Sequence, residues 1–269
     1  MATTQTLRLF QIDAFAEKVF FGNPAAVVPL AAWLPGDVMQ SIAAENNLSE
    51  TAFFVRTPDS DTDFDLRWMT PVAEADLCGH ATLASAHTLW AHLGWAGDII
   101  RFSSRSGPLA VRRDGELYEL DFPVLPLEPA EVTDELVEAL GARPVEVWRG
   151  MDLVCVFDNE REVMDLSPDF GRLKAIGGVR AIGATAPGRS HDFISRLFAP
   201  AVGIDEDPVT GSLHSLLAPY WAKRLGKSTL VARQVSKRGG ELRCIVIGDR
   251  VRIAGHAVTY LTGEISVFI

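Results

Sequence analysis

The chain has 269 residues, 48% of them apolar and 22% charged, with a net charge of −10. That length suits one large domain or two of about 130 residues, and the apolar share excludes a disordered chain. The acidic balance argues against nucleic-acid binding through a basic surface and against an anionic membrane, while a helix start remains able to hold a small anionic substrate.

No run of 18 apolar residues occurs, so no transmembrane helix is expected, and the start "MATTQTLRLFQIDAF" lacks the pattern of a signal peptide. Three cysteines, Cys78, Cys155 and Cys244, are far apart and form no C-x-x-C. They predict neither a disulfide framework nor a structural zinc site, and they fit a reducing cytoplasm.

In chain order, "LRLFQIDAF" and "PAAVVPL" read as strands around the turn "FFGNP". "PGDVMQSIAAENN" reads as a helix with Pro35 near its start. "ETAFFVRT" and "FDLRWMT" read as strands, and 79–95 as a helix with the apolar stripe Leu83, Ala86, Trp90 and Leu93, ended by Gly94. "DIIRFSS", "PLAVRRDG" and "ELYELDFP" follow as strands, with the hairpin turn expected at Asp114-Gly115. The proline-rich stretch 123–132 reads as the domain boundary, and Thr133 caps a new helix, "TDELVEALG". Beyond it, "LVCVFD", "GVRAIGATA", "DFISRLFA", "LVARQV", "LRCIVIG", "RVRIAG" and "EISVFI" read as strands, with a helix at 211–225 marked by Leu213, Leu216, Leu217, Tyr220 and Trp221. The expected division is 1–118, with the C-terminal strand 259–269 as a candidate addition, and 119–258.

The halves echo each other. Arg67 and Arg196 each precede a proline, Pro71 and Pro200, and seven positions after each proline stands a chemically capable residue, Cys78 or Asp207. A glycine-bearing turn and a helix follow both, which points to an internal duplication. Each helix start offers unpaired N–H groups and the positive end of a dipole, suited to a carboxylate or a developing enolate. A site in the cleft between the two halves is therefore expected.

Each candidate also has a plain structural reading. Cys78 is either a packed small residue or a thiol tuned by a helix start. His80 is a polar surface residue or a ligand-facing imidazole beside the permissive Gly79. Asp207 is a turn residue beside Pro208 or one of three crowded acids with a raised pKa. Alternation puts Glu50, Ala52 and Phe54 on one strand face, so Glu50 is a solvated loop residue or a partly desolvated base. Asn23 belongs to a turn or donates to a substrate carboxylate. The Gly239-Gly240 pair, near Arg238, joins strands or exposes N–H groups to ligand. Cys155 and Cys244 read as buried and inert. No nucleotide-binding glycine loop appears, His87 and His92 have the wrong spacing for a shared metal, and no partner ligand is spaced to complete a metal site with Cys78 and His80. Adjacent thiol and ring at a helix start need not face each other, which disfavours a Cys–His dyad.

The stretches "DAFAEKVFFGNPAAVV", "NNLSETAFF", "RWMTPVAEADLCGHATLASA" and "DEDPVTGSLHSLLAPYWA" together resemble the PhzF family of phenazine-biosynthesis-type isomerases. The resemblance runs from residue 13 to about 263 in the family's order. It implies an α+β fold similar to diaminopimelate epimerase, with two similar domains, each a mixed sheet wrapped around a central helix and related by a pseudo-twofold duplication. It also implies a homodimer and a reaction without cofactor or metal. Glu50 of the "NLSE" motif would be the proton-shuttling acid/base, assisted by His80 and Asp207, with Asn23, Ser49, Cys78, Gly79, Gly211 and Ser212 around a small carboxylate substrate. The family's best-known member isomerises trans-2,3-dihydro-3-hydroxyanthranilate. Cys78 departs from that member. It matches one thiol of the two-thiol epimerases, whose second thiol would fall at Asp207. A Cys78-dependent amino-acid racemase and a non-enzymatic small-anion binding protein are the alternatives.

Overall fold

A computed structural model describes residues 4–58 and 60–268. The chain divides into two compact units, Met1–Asp121 with Ala254–Ile269, and Phe122–Ile253. Unit 1 opens with β1 (Thr4–Ala14), β2 (Asn23–Leu30), α1 (Gly36–Asn46), β3 (Glu50–Arg56), β4 (Phe64–Met69) and β5 (Glu74–Ala75). It continues with α2 (Gly79–His92), β6 (Ile99–Ser103), β7 (Leu109–Asp114) and β8 (Leu117–Pro123). Antiparallel β1–β2 is followed by parallel β2–β3, antiparallel β3–β4 and β4–β5, parallel β4–β6, and antiparallel β6–β7–β8.

Unit 2 holds β9 (Glu128–Ala130), α3 (Asp134–Leu140), β10 (Glu146–Arg149), β11 (Leu153–Val156), α4 (Glu160–Met164), α5 (Phe170–Ala175) and β12 (Ile182–Pro187). Then come β13 (Phe193–Ala199), β14 (Ile204–Asp207), α6 (Gly211–Leu225), β15 (Thr229–Gln234), β16 (Gly240–Ile247) and β17 (Arg250–Gly255). Its ladder repeats that of unit 1: antiparallel β10–β11, parallel β11–β12, antiparallel β12–β13 and β13–β14, parallel β13–β15, antiparallel β15–β16. The last strand, β18 (Ala257–Phe268), belongs to unit 1 and runs antiparallel to β1. The duplicated α+β architecture is thus visible strand by strand. Even the Arg echo is structural: Arg67 of β4 forks onto Glu74 of β5, and Arg196 of β13 onto Glu206 of β14.

The two longest helices are the centres of their units. In α2 all ten residues from His80 to Leu89 are buried. The expected one-sided stripe is corrected: Trp90 and Leu93 are only half-buried, and the helix ends at His92 rather than 95. A helix enclosed on all sides has no stripe to show. Its hydroxyls are satisfied within the helix, since Thr82, Ser85 and Thr88 donate to the carbonyls of Cys78, Ala81 and Ala84. In α6, Leu213–Ala218 and Trp221 are buried.

Two turns place the site. Gly22 has φ +67, and a Cβ there would lie 2.1 Å from the Ala14 carbonyl oxygen, so only glycine brings β1 round to Asn23. Asn47 ends α1 at φ 50, a left-handed position that asparagine tolerates, and returns the chain to Glu50 at the head of β3. The other hairpin is shifted by one residue: Asp114 pairs with Leu117, so the loop is Gly115-Glu116. Among the described residues no helix is long and apolar enough to cross a membrane.

Candidate active site

In unit 1 the heads of two neighbouring parallel strands meet the start of α2. Ala25 is paired with Glu50 in register, so Asn23 and Glu50 emerge at the same end of β2 and β3. Cys78, in an extended conformation with φ −143, leads into Gly79 and His80, the first two residues of α2. Asn23 is fully buried, Cys78 and His80 are 5% exposed, and the Glu50 side chain is 14% exposed. Ser49 lies half-buried in the bend just before Glu50.

His80 is the hub. Its Nε2 lies 3.1 Å from Glu50 Oε2, its Nδ1 lies 3.2 Å from Asn23 Nδ2, and Cys78 Sγ stands 3.5 Å from Nδ1 and 4.0 Å from Nε2. Asn23 Nδ2 can only donate, so its contact assigns the acceptor role to Nδ1 and the ring proton to Nε2, on the Glu50 side. A second ring proton on Nδ1 requires the Asn23 amide to turn over and present Oδ1. Glu50 Oε2 is buried without an aligned hydrogen bond, so its contact with His80 is electrostatic more than directional.

Burial opposes the imidazolium, but Cys78 and Glu50 beside it outweigh that and raise the His80 pKa well above its ordinary value. Burial pushes the Cys78 thiol up to about 11, and the Glu50 charge adds to the rise. Cys78 is therefore a protonated thiol at neutral pH.

Two sequence expectations are corrected here. The Cys78 thiol and the His80 ring do approach each other. A third potential ligand also stands beside them: Glu50, Cys78 and His80 are the group of His, Cys, Asp and Glu residues, among those described, whose ligand atoms all lie within 4.8 Å of one another. Spacing along the chain could not show this, because Glu50 lies far upstream on another element. Glu50 itself is partly buried, and burial does not alternate along β3. Thr51 and Phe53 are as buried as Ala52 and Phe54, because β3 is covered on both faces.

In unit 2, Asp207 ends β14 and accepts a hydrogen bond from the Thr210 hydroxyl. The fully buried Gln234 clasps this turn, accepting from the Thr210 N–H at 2.8 Å and donating to the Asp207 carbonyl at 2.8 Å. Gly211 and Ser212 open α6. Arg180 donates to Ser212 Oγ at 3.1 Å and is itself forked onto the fully buried Asp152 at 2.9 and 2.7 Å. The sequence singled out neither Arg180, Asp152 nor Gln234. A lone Arg in "GVRAIG", a lone Asp and a strand Gln carry no motif. Burial of the charge and of the amide is the only sign, and that exists only after folding. Cys155 and Cys244 are fully buried, and burial pushes Cys244 up to about 12, as inert core thiols require.

A family model described as phenazine biosynthesis-like protein (PhzC-PhzF) matches residues 12–263. An uncharacterized isomerase of Pseudomonas aeruginosa is 51% identical over 259 residues, which cover 96% of this chain and 98% of that protein. The crystal structure of a PhzF-family phenazine biosynthesis protein from Enterococcus faecalis superposes with a TM-score of 0.94 at 49% identity, covering 97% of this chain and 99% of that one. A hydroxyproline epimerase from Agrobacterium vitis, solved with trans-4-hydroxy-L-proline, shares the fold at a TM-score of 0.62 and 11% identity, over 99% and 94% of the chains.

Proposed function

Because the chain belongs to the phenazine biosynthesis-like (PhzC-PhzF) family, we propose that it is a cofactor-independent isomerase that moves a proton between carbons of a small carboxylate-bearing metabolite. Glu50 takes the proton. The C–H electron pair enters the substrate's conjugated system, and the neutral Glu50 carboxyl then returns the proton to a second carbon. One observation carries this reading: Glu50 Oε2 is buried, has no aligned donor, and faces the proton-bearing edge of His80 at 3.1 Å. His80 compensates charge as Glu50 gains and loses its proton, and Asp207 assists. Asn23, Ser49, Cys78 and the N–H groups at Gly79, Gly211 and Ser212 hold the substrate, and a homodimer is the proposed assembly.

The test is solvent-deuterium incorporation, followed by mass spectrometry, into a panel of small carboxylates that begins with trans-2,3-dihydro-3-hydroxyanthranilate. Glu50→Gln is expected to lower turnover and wash-in by about 10²- to 10⁴-fold, and full activity in that variant would overturn the assignment. A second reading, an α-carbon racemase using Cys78, draws on the 3.5 Å approach of Sγ to His80 Nδ1. Deuterium exchange at the α-carbon of an amino acid that disappears in Cys78→Ala would favour it.

A further inference from the structure

We propose that Glu50, Cys78 and His80 together form a chelating site for a borderline-soft divalent cation of the Zn2+ type, and that its occupancy shuts the enzyme off. The binding half stands on the local geometry alone, while the shut-off half rests on the acid/base role assigned above to Glu50.

The donor set is thiol, imidazole and carboxylate, the three side-chain types that Zn2+ takes. With metal–ligand bonds of about 2.0–2.3 Å, a tetrahedral centre needs donors spaced roughly 3.3–3.6 Å apart. Here Glu50 Oε2 and His80 Nε2 are 3.1 Å apart, Cys78 Sγ and Nε2 are 4.0 Å apart, and all three donors lie within 4.8 Å of one another. Rotation of the Cys78 and His80 side chains is what would bring the three donors onto one ion. Glu50 Oε2 brings a buried lone pair that has no aligned hydrogen bond to lose.

The charges balance as well. On binding, the Cys78 thiol releases its proton to solvent, so a thiolate and a carboxylate neutralise the dication within a buried pocket. No electron changes hands. With Nε2 on the metal, the ring proton moves to Nδ1, where the Asn23 amide, turned over, accepts it through Oδ1. This is the outer hydrogen bond that a ligating histidine ordinarily makes. Three protein ligands leave a fourth position open, so the site resembles an exchangeable centre more than a closed structural one.

Co2+ is the probe. Titration of metal-free protein is expected to give a sulfur-to-cobalt charge-transfer band in the near ultraviolet at one ion per chain. Zn2+ should displace the ion and bleach the band. Cys78→Ser should abolish the band, while Cys155→Ala should keep it. His80→Gln, the second variant, should weaken cobalt binding at least tenfold. Circular dichroism establishes that each variant is folded. Absence of the band at saturating Co2+, or a band unchanged in folded Cys78→Ser, overturns the site. The second arm repeats the deuterium assay with Zn2+ and then with chelator, and is expected to lose activity and regain it. A cobalt band accompanied by undiminished turnover at saturating Zn2+ overturns the shut-off, and removes Glu50 from the chemistry while the metal site stands.

Discussion

Lowering the pH should destabilise this protein through two buried histidines. His87 of α2 has Nδ1 3.0 Å from the Tyr118 hydroxyl and Nε2 2.9 Å from Thr259 Oγ1, and burial, then His92 and Arg113, lower its pKa to about 4. His214 of α6 donates from Nδ1 to the Thr210 carbonyl at 2.8 Å, with Ser195 Oγ 3.4 Å from Nε2, and burial lowers it to about 4 as well. Both folded pKa values lie below the unfolded one, so the unfolded chain binds more protons, and stability falls as pH drops from about 6.5 toward 4. Each site should cost roughly 2 kcal/mol between pH 7 and pH 5, so the pair costs ~4 kcal/mol of a total that is typically 5–15 kcal/mol. His80 runs the other way. Its folded pKa is raised, so its contribution is complete below the unfolded pKa and is lost as pH rises through the folded one. Urea unfolding at pH 7 and pH 5, followed by tryptophan fluorescence, gives the difference directly. His87→Gln and His214→Gln should each shrink that difference by about 2 kcal/mol, whatever their baseline stability. A difference in both variants equal to that of the parent would refute the reasoning.

Two further substitutions probe unit 2. Arg180→Met leaves the fully buried Asp152 carboxylate without its fork, and urea unfolding should show a loss of about 3 kcal/mol at neutral pH. Gln234→Ala removes the clasp on the Asp207–Thr210 turn and takes the acceptor from the buried Thr210 N–H, at a cost of about 1–3 kcal/mol in the same measurement.

Elements whose signals are local were legible in the sequence. Thr133 caps α3 by accepting from the Leu136 N–H, and α6 begins and ends at the residues its leucine spacing marks. Short elements were not. The two-residue β5, β9 inside the proline-rich stretch, β10 and β14, and the five- and six-residue helices α4 and α5 owe their form to neighbours rather than to propensity. The central helix α2 misled for the opposite reason, being too buried to display a polar face. At the site, the residue types were legible one by one. Their meeting was not, because Asn23, Glu50 and His80 come from three elements whose register only the folded sheet fixes.

The twin arginine forks bear on how such a chain changes over generations. Arg67–Glu74 and Arg196–Glu206 repeat as a chassis in the two units, while the group seven places beyond the proline is sulfur in one and carboxylate in the other. Mutation at that place leaves both struts standing. A descendant can therefore exchange the side chain at that place without first rebuilding the frame that presents it.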